Sequence, residues 1–204
     1  MNKQLTPAQA WLRLQEGNAR FINSQSSHPN QDASRRTALV DQQNPFAVIF
    51  GCSDSRLAAE IIFDLGLGDI FVVRTAGQVI DDAVLGSLEY SVGILDVPLI
   101  VVLGHDNCGA ITATMNAIDT GTMPTGFLRD LVERITPSVL TARRNGHEDI
   151  NSTSVEHVRQ TAQRLIDNSR VVSDAVQRGS TAVVGVAYRL EEGKAELVSG
   201  FGAL

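Results

Sequence analysis

Both cysteines of this 204-residue chain stand among other chemically active side chains. Cys52 opens the run Cys52-Ser53-Asp54-Ser55-Arg56, and Cys108 closes the run His105-Asp106-Asn107-Cys108. Each run follows an apolar stretch of strand length, residues 46–51 and 99–104. If those two strands are neighbours, Cys52, His105 and Cys108 converge on one point. Two thiolates and one imidazole are a zinc donor set, and three protein donors leave the fourth position that a catalytic zinc keeps open. Asp54 could occupy that position as a fourth donor, or accept a hydrogen bond from water on the metal. The Arg56 guanidinium could grip the carboxylate bidentately and keep it off the metal. The plainer readings of the same residues are two small buried hydrophobes or a redox pair, although their separation is not the Cys-x-x-Cys pattern.

The site requires the two strands to be neighbours, and the remaining pattern reads as an α/β fold. Thr6-Pro7 reads as a helix start, with Thr as cap and Pro in the first turn. Trp11, Leu14, Phe21 and Ile22 follow at roughly helical spacing. Residues 23–34 read as a polar loop and 35–43 as a short helix that stops before Pro45. Strands are predicted over 46–51, 69–76, 99–104 and 181–190, with helices over 57–65, 81–95 and 108–118 between them. Residues 127–178 are helical in pattern, interrupted near Pro137 and between residues 145 and 154. The turn Glu191-Glu192-Gly193 leads to a fifth strand over 194–199. Alternation of helices with continuously apolar strands argues a parallel sheet covered on both faces. The expected architecture is four parallel strands plus an antiparallel edge strand, flanked by helices. A single domain spans 1–204, with a helical arm over 1–44 and an α/β core over 45–204. Ligands in such folds sit beyond the C-terminal strand ends, where both cysteine runs lie.

Composition narrows the function classes. Hydrophobic residues make up 43% and charged residues 20%, which excludes a disordered chain. The 17 Lys and Arg against 23 Asp and Glu give a net charge of -6, an adverse balance for binding nucleic acid. No apolar run approaches the roughly 18 residues of a membrane span, and residues 1–7 lack the apolar core of a signal peptide. Two cysteines are too few for a disulfide scaffold. The reading is a cytoplasmic protein without nucleic-acid or membrane partners. His28, His147 and His157 fall in polar loops or on helix faces and are read as solvated. Gly104 and Gly109 are read as permitting tight turns around His105 and Cys108.

The paired motifs, Cys-Ser-Asp-Ser-Arg and Gly-His-x-x-Cys-Gly, resemble the β-class carbonic anhydrases of bacterial type, over about residues 11–200. The resemblance implies one zinc per chain on Cys52, His105 and Cys108, with Asp54 and Arg56 as a catalytic dyad. It implies the reversible hydration of carbon dioxide to bicarbonate and a proton by hydroxide on the zinc. It places Gln43, Phe71, Ala76, Tyr90 and Gly109 around the substrate. It also implies a homodimer or homotetramer whose partner contributes to the site, with the N-terminal helix packed on the neighbour. A closed form with Asp54 on the metal at low pH is part of the same expectation. Arg74 and Tyr188 resemble two residues of a second, inhibitory bicarbonate site found in some members, but Ile49 stands in place of its tryptophan. Hydrolysis of carbon disulfide or carbonyl sulfide, and a non-catalytic zinc or redox-sensing module, are the alternative readings.

Overall fold

A computed structural model describes residues 5–204 of the chain. Five strands form one sheet: β1 (Ala47–Cys52), β2 (Ile70–Thr75), β3 (Leu99–His105), β4 (Ala182–Arg189) and β5 (Lys194–Phe201). Their spatial order is β2-β1-β3-β4-β5. The first four run parallel, and β5 returns antiparallel along β4. This matches the expected mostly parallel sheet with an antiparallel edge.

The strands are apolar throughout because both faces are covered. Ile49, Val101 and Val184 point into one core with Trp11, Leu14 and Ile135. Val48, Val102 and Val183 point into the other with Leu88, Leu165 and Val172. The period-two alternation of a strand thus feeds two cores rather than one core and solvent. Helices α1 (Pro7–Ile22), α3 (Ala59–Ile62), α5 (Gly109–Thr120) and α6 (Leu128–Arg144) supply the first face. Helices α4 (Asp82–Gly93), α7 (Ile150–Asn168) and α8 (Arg170–Gln177) supply the second, and α2 (Ala33–Ala38) contributes no buried residue.

From β1 the chain passes to β2 on one side, then crosses back to β3 on the other. The crevice between the C-terminal ends of β1 and β3 is therefore the switch point of the sheet, the usual ligand position in such folds. The required neighbours are in register, with Gly51 opposite Leu103 and Cys52 opposite Thr75.

Helix α1 begins as read: Thr6 accepts from the Gln9 backbone while the Gln9 side chain accepts from the Thr6 N–H. Its face is committed to its own chain, where Ala10, Trp11 and Leu14 are buried in the core. Three helical readings are corrected. The helix expected over 35–43 is Ala33–Ala38, because Asp32 caps it through Arg35 N and the Arg35 side chain then ties it to Leu67 O. The helix expected over 57–65 is only Ala59–Ile62, because Asp64 takes a left-handed backbone, φ 47°, with its carboxylate bound to residues 20, 27 and 28. Pro137 does not interrupt α6. The helix runs unbroken from Leu128 to Arg144 although proline removes the backbone donor that would reach the Glu133 carbonyl.

Candidate metal centre

The ligand atoms of Cys52, His105 and Cys108 all lie within 4.8 Å of one another, and all three residues are buried. Cys52 is the last residue of β1, His105 the last of β3, and Cys108 the N-cap of α5. The turn between His105 and Cys108 is fixed from several sides. Asp106 N donates to Tyr188 O, Leu190 N donates to Asp106 Oδ1, and Asn107 N donates to Asn151 Oδ1. Asn107 takes a positive φ of 51°, which Asn tolerates better than most residues.

His105 Nδ1 lies 2.7 Å from the Asp106 carbonyl, so Nδ1 carries the proton and donates it. Nε2 is buried beside two sulfurs and has no hydrogen-bond partner. A buried ring nitrogen left without a partner is costly, and a metal cation would give its lone pair one. The two thiols lead to the same conclusion. Cys52 is pushed well below the ordinary thiol range, first by a hydrogen bond from Cys108, while Cys108 is pushed up because it holds the proton that the Cys52 thiolate needs. One proton serves two sulfurs; a divalent cation would serve both. The residues therefore fit a metal. The Cys52 sulfur also accepts the Gly77 N–H at 3.3 Å.

Asp54 and Arg56 form a pair at the mouth. Arg56 Nε donates to Asp54 Oδ1 at 2.9 Å and Nη2 to Oδ2 at 2.8 Å, with the Arg56 backbone N–H also on Oδ1. The Arg56 guanidinium holds the Asp54 carboxyl well below the usual carboxylate range. Asp54 Oδ2 is 3.8 Å from His105 Nε2, so the carboxylate has the reach to join the ligand cluster if Arg56 lets go.

The remaining expected site residues divide. Ala76 follows the C-terminal end of β2 and Gly109 opens α5, both exposed beside the ligand cluster. Gly109 takes no positive φ, so the turn does not depend on a glycine there, and no atom lies within 4 Å of the place of a Cβ, which leaves open space. Gly104 does face a close approach, from Val158, but within β3 rather than in a turn. Gln43, Phe71 and Tyr90 are not brought to the cluster. Gln43 and Tyr90 line a groove of about 1410 Å³ at the N-terminal strand ends, beside Pro45 and Pro98. Phe71 lies on β2 opposite Val48, with its ring centroid 6.1 Å from that of Tyr90.

Two structural contributions were not read from the sequence. Arg74 Nε donates to Cys52 O at 2.9 Å and its Nη2 to Asp54 O at 2.6 Å, so Arg74 clamps the backbone of the ligand turn. Its neighbours in the supposed second anion site, Ile49 and Tyr188, are both buried. His157, read as solvated, is buried. The signal that finds it is spacing: Ser154, Val158, Thr161 and Leu165 mark the buried stripe of α7, and His157 falls on it.

A family model described as carbonic anhydrase matches residues 47–195. A carbonic anhydrase of Mycolicibacterium smegmatis is 53% identical over 196 residues, covering 96% of this chain and 95% of the relative. Carbonic anhydrase 2 of Mycobacterium tuberculosis is 54% identical over 191 residues, covering 94% and 92%. Among solved structures, a Coccomyxa β-carbonic anhydrase in complex with acetazolamide superposes with a TM-score of 0.73 at 22% identity, covering 92% of this chain and 86% of that one. One of two β-carbonic anhydrases described as tetrameric, from Sordaria macrospora, gives a TM-score of 0.73 at 21% identity, covering 90% and 93%.

Proposed function

The chain belongs to the β-carbonic anhydrase family and is a carbonic anhydrase; from that premise we propose how its own residues carry the reversible hydration of carbon dioxide. Cys52, His105 and Cys108 hold one zinc ion per chain. When bound, zinc supplies the Lewis acidity that makes water a nucleophile near neutral pH. Two thiolate donors cancel the formal charge of a divalent ion, so the surroundings must contribute more than they would beside three neutral imidazoles. Asp54 makes that contribution. Its ionised carboxylate, fixed in two dimensions by the Arg56 fork, accepts a hydrogen bond from the attacking water and aims it. Arg74 keeps the two backbone carbonyls on either side of Ser53 from shifting, which holds ligand and dyad in one rigid turn. Released from Arg56, Asp54 would have the reach to join Cys52, His105 and Cys108 in holding the ion, which would close the site, a form expected at low pH.

Ala76 and Gly109 leave room for a small uncharged substrate beside the cluster. Gln43, Phe71 and Tyr90 reach a substrate only in another copy of the chain, so the active unit is a homodimer or a tetramer built from dimers. The tetrameric description of the Sordaria relative is in keeping with that assembly. Among the described residues no helix is long and apolar enough to cross a membrane, and reduced thiolate ligands suit a cytoplasmic setting.

The observation that carries this reading is the unpartnered His105 Nε2 among two sulfurs, next to a carboxylate already docked on arginine. The test combines metal content by plasma emission with stopped-flow carbon dioxide hydration, alongside sulfide release from carbon disulfide. Wild type should hold one zinc per chain and hydrate carbon dioxide, and Cys52→Ser should lose both. Full zinc in Cys52→Ser would refute the ligand set. Sulfide release exceeding hydration would shift the substrate.

A further inference from the structure

A chain of hydrogen bonds from helix α6 through α7 ends on a ligand sulfur. His157 projects from the middle of α7 and is fully buried. Its Nε2 sits 2.8 Å from the Gly77 carbonyl and its Nδ1 2.8 Å from Ser138 Oγ of α6. A carbonyl only accepts, so Nε2 carries the proton and donates it. Burial pushes the imidazole pKa down to about 4, which leaves the ring neutral and Nδ1 an acceptor. The single Ser138 hydroxyl proton lies between two acceptors, Nδ1 at 2.8 Å and Gln160 Oε1 at 3.1 Å, and Gln160 Oε1 also accepts from Arg164 Nη2. The Gly77 carbonyl fixes the tautomer.

Gly77 is the other end of the chain. Its N–H donates to Cys52 Sγ at 3.3 Å, and its carbonyl accepts from His157. The two groups belong to successive peptide planes, so His157 does not polarise the N–H. It fixes the orientation of the residue that carries it. Gly77 needs such fixing: it takes φ 65° in the 3-10 turn Ala76–Gln78 after β2, where glycine moves more freely than any other residue. No larger residue replaces it, because a Cβ would stand 2.9 Å from both Ala110 Cβ and Ile135 Cδ1. The site thus requires a flexible residue at the position that must present a steady donor to a sulfur.

We propose that His157 is a positioning residue for Cys52: by clamping the Gly77 carbonyl it holds the Gly77 N–H on the ligand sulfur and so tightens the metal site. The inference rests on Cys52 being a metal ligand, as proposed above. An imidazole on α7, 105 positions from Cys52 in sequence, then belongs to the metal site without touching the metal or the substrate. Partners that orient ligands in this way commonly change metal affinity by about 10- to 100-fold when removed.

The experiment uses the full chain and measures zinc release to a chromogenic chelator, the thiolate-to-metal charge-transfer absorption of the cobalt-substituted protein, and thermal unfolding. Three proteins are compared: wild type, His157→Leu and His157→Gln. Gln places an N–H near the position of Nε2 and keeps the clamp; Leu fills the space without a donor. His157→Leu should release zinc about 10- to 100-fold more readily and shift the cobalt band, while His157→Gln stays within about threefold of wild type. A role confined to packing would lower the unfolding temperature and leave affinity and band unchanged; that result in a folded His157→Leu overturns the proposal. Equal weakness of Gln and Leu also overturns it, because the donor then does not matter. If His157→Leu fails to fold, Ser138→Ala carries the test, since it removes the Nδ1 partner that steadies the ring while keeping the ring itself; its zinc release should rise above wild type, and wild-type release in that variant refutes the clamp. Wild type without zinc in the same titration would overturn the ligand assignment itself, a separate outcome from a metal-loaded wild type matched by His157→Leu.

Discussion

The two ends of the parallel sheet are built on different terms. At the C-terminal ends, one chain assembles everything: two sulfurs and an imidazole within 4.8 Å, a carboxylate–guanidinium pair beside them, and Arg74 holding the turn. At the N-terminal ends lies an open groove of about 1410 Å³ lined by Gln43, Tyr90 and Ile94, with none of the metal donors near it. The six residues of β1 alone separate the two ends by about 20 Å. Yet Gln43, Phe71 and Tyr90 are the residues expected around the substrate. On the proposed function, the contrast means that the metal donors come together within one chain, whereas Gln43, Phe71 and Tyr90 would need a second copy of the chain to meet a substrate. Covalent closeness in sequence, nine positions from Gln43 to Cys52, does not bring the two together, because a strand is a rigid spacer.

The most drastic way to break this contrast is to separate the subunits. Ile94 is exposed and lines the groove, so Ile94→Glu puts a charge where the second copy should pack. Sedimentation should then show monomers that still carry zinc, with carbon dioxide hydration reduced by more than about 100-fold, since the reactants are no longer held in line. An Ile94→Glu monomer with wild-type activity would show that one chain holds the whole site.

A smaller loss is expected from the complete end. Arg56→Lys keeps the charge but replaces a planar fork with a single ammonium, so Asp54 loses one of its two fixed oxygens. Zinc content and assembly should stay as in wild type, with turnover lowered about 10- to 100-fold by the misaligned carboxylate. Near-normal turnover would remove Arg56 from the mechanism. The pairing of these two variants is informative: one loses activity through assembly with the metal centre intact, the other through the metal centre with assembly intact.

The same contrast explains what could be read from the sequence. The metal cluster was legible because residue type, strand ends and the sheet rule all point to one place within one chain. The strand order needed for Cys52 and His105 to meet is what a switch point provides. Where the reading failed, the deciding contact came from elsewhere. Helix α3 is short because Asp64 is drawn into a left-handed backbone by bonds to residues far back in the arm. His157 reads as solvated from its polar chemistry alone, whereas its spacing on α7 places it on the buried stripe. Gln43, Phe71 and Tyr90 could be named only by resemblance, since nothing in one chain brings them to the metal.

The smallest effect concerns the tie between arm and core, and it separates stability from catalysis. Asp64 is buried at the end of α3, and burial alone would raise its pKa. The Ser27 and His28 N–H groups, the Ser27 hydroxyl and Arg20 Nε at 2.6 Å outweigh that effect and hold the carboxyl well below the ordinary range. The folded chain therefore binds this proton less readily than the unfolded chain. Its contribution is fully present above the ordinary carboxylate pKa of about 4 and fades as pH falls below it. Asp64→Asn keeps the size and tolerates the left-handed backbone, but it loses the charge and turns an N–H₂ toward the same donors. We expect a loss of about 1.5–3 kcal/mol of unfolding free energy at pH 7, with zinc content and turnover per assembled enzyme unchanged. The difference between wild type and Asp64→Asn, compared in metal-free protein so that loss of the metal does not intervene, should shrink as pH drops from about 4 toward 2. A gap that stays constant across that range would mean that the Asp64 charge is not what fastens the arm. A fall in turnover at unchanged assembly would mean that the arm reaches the metal end after all.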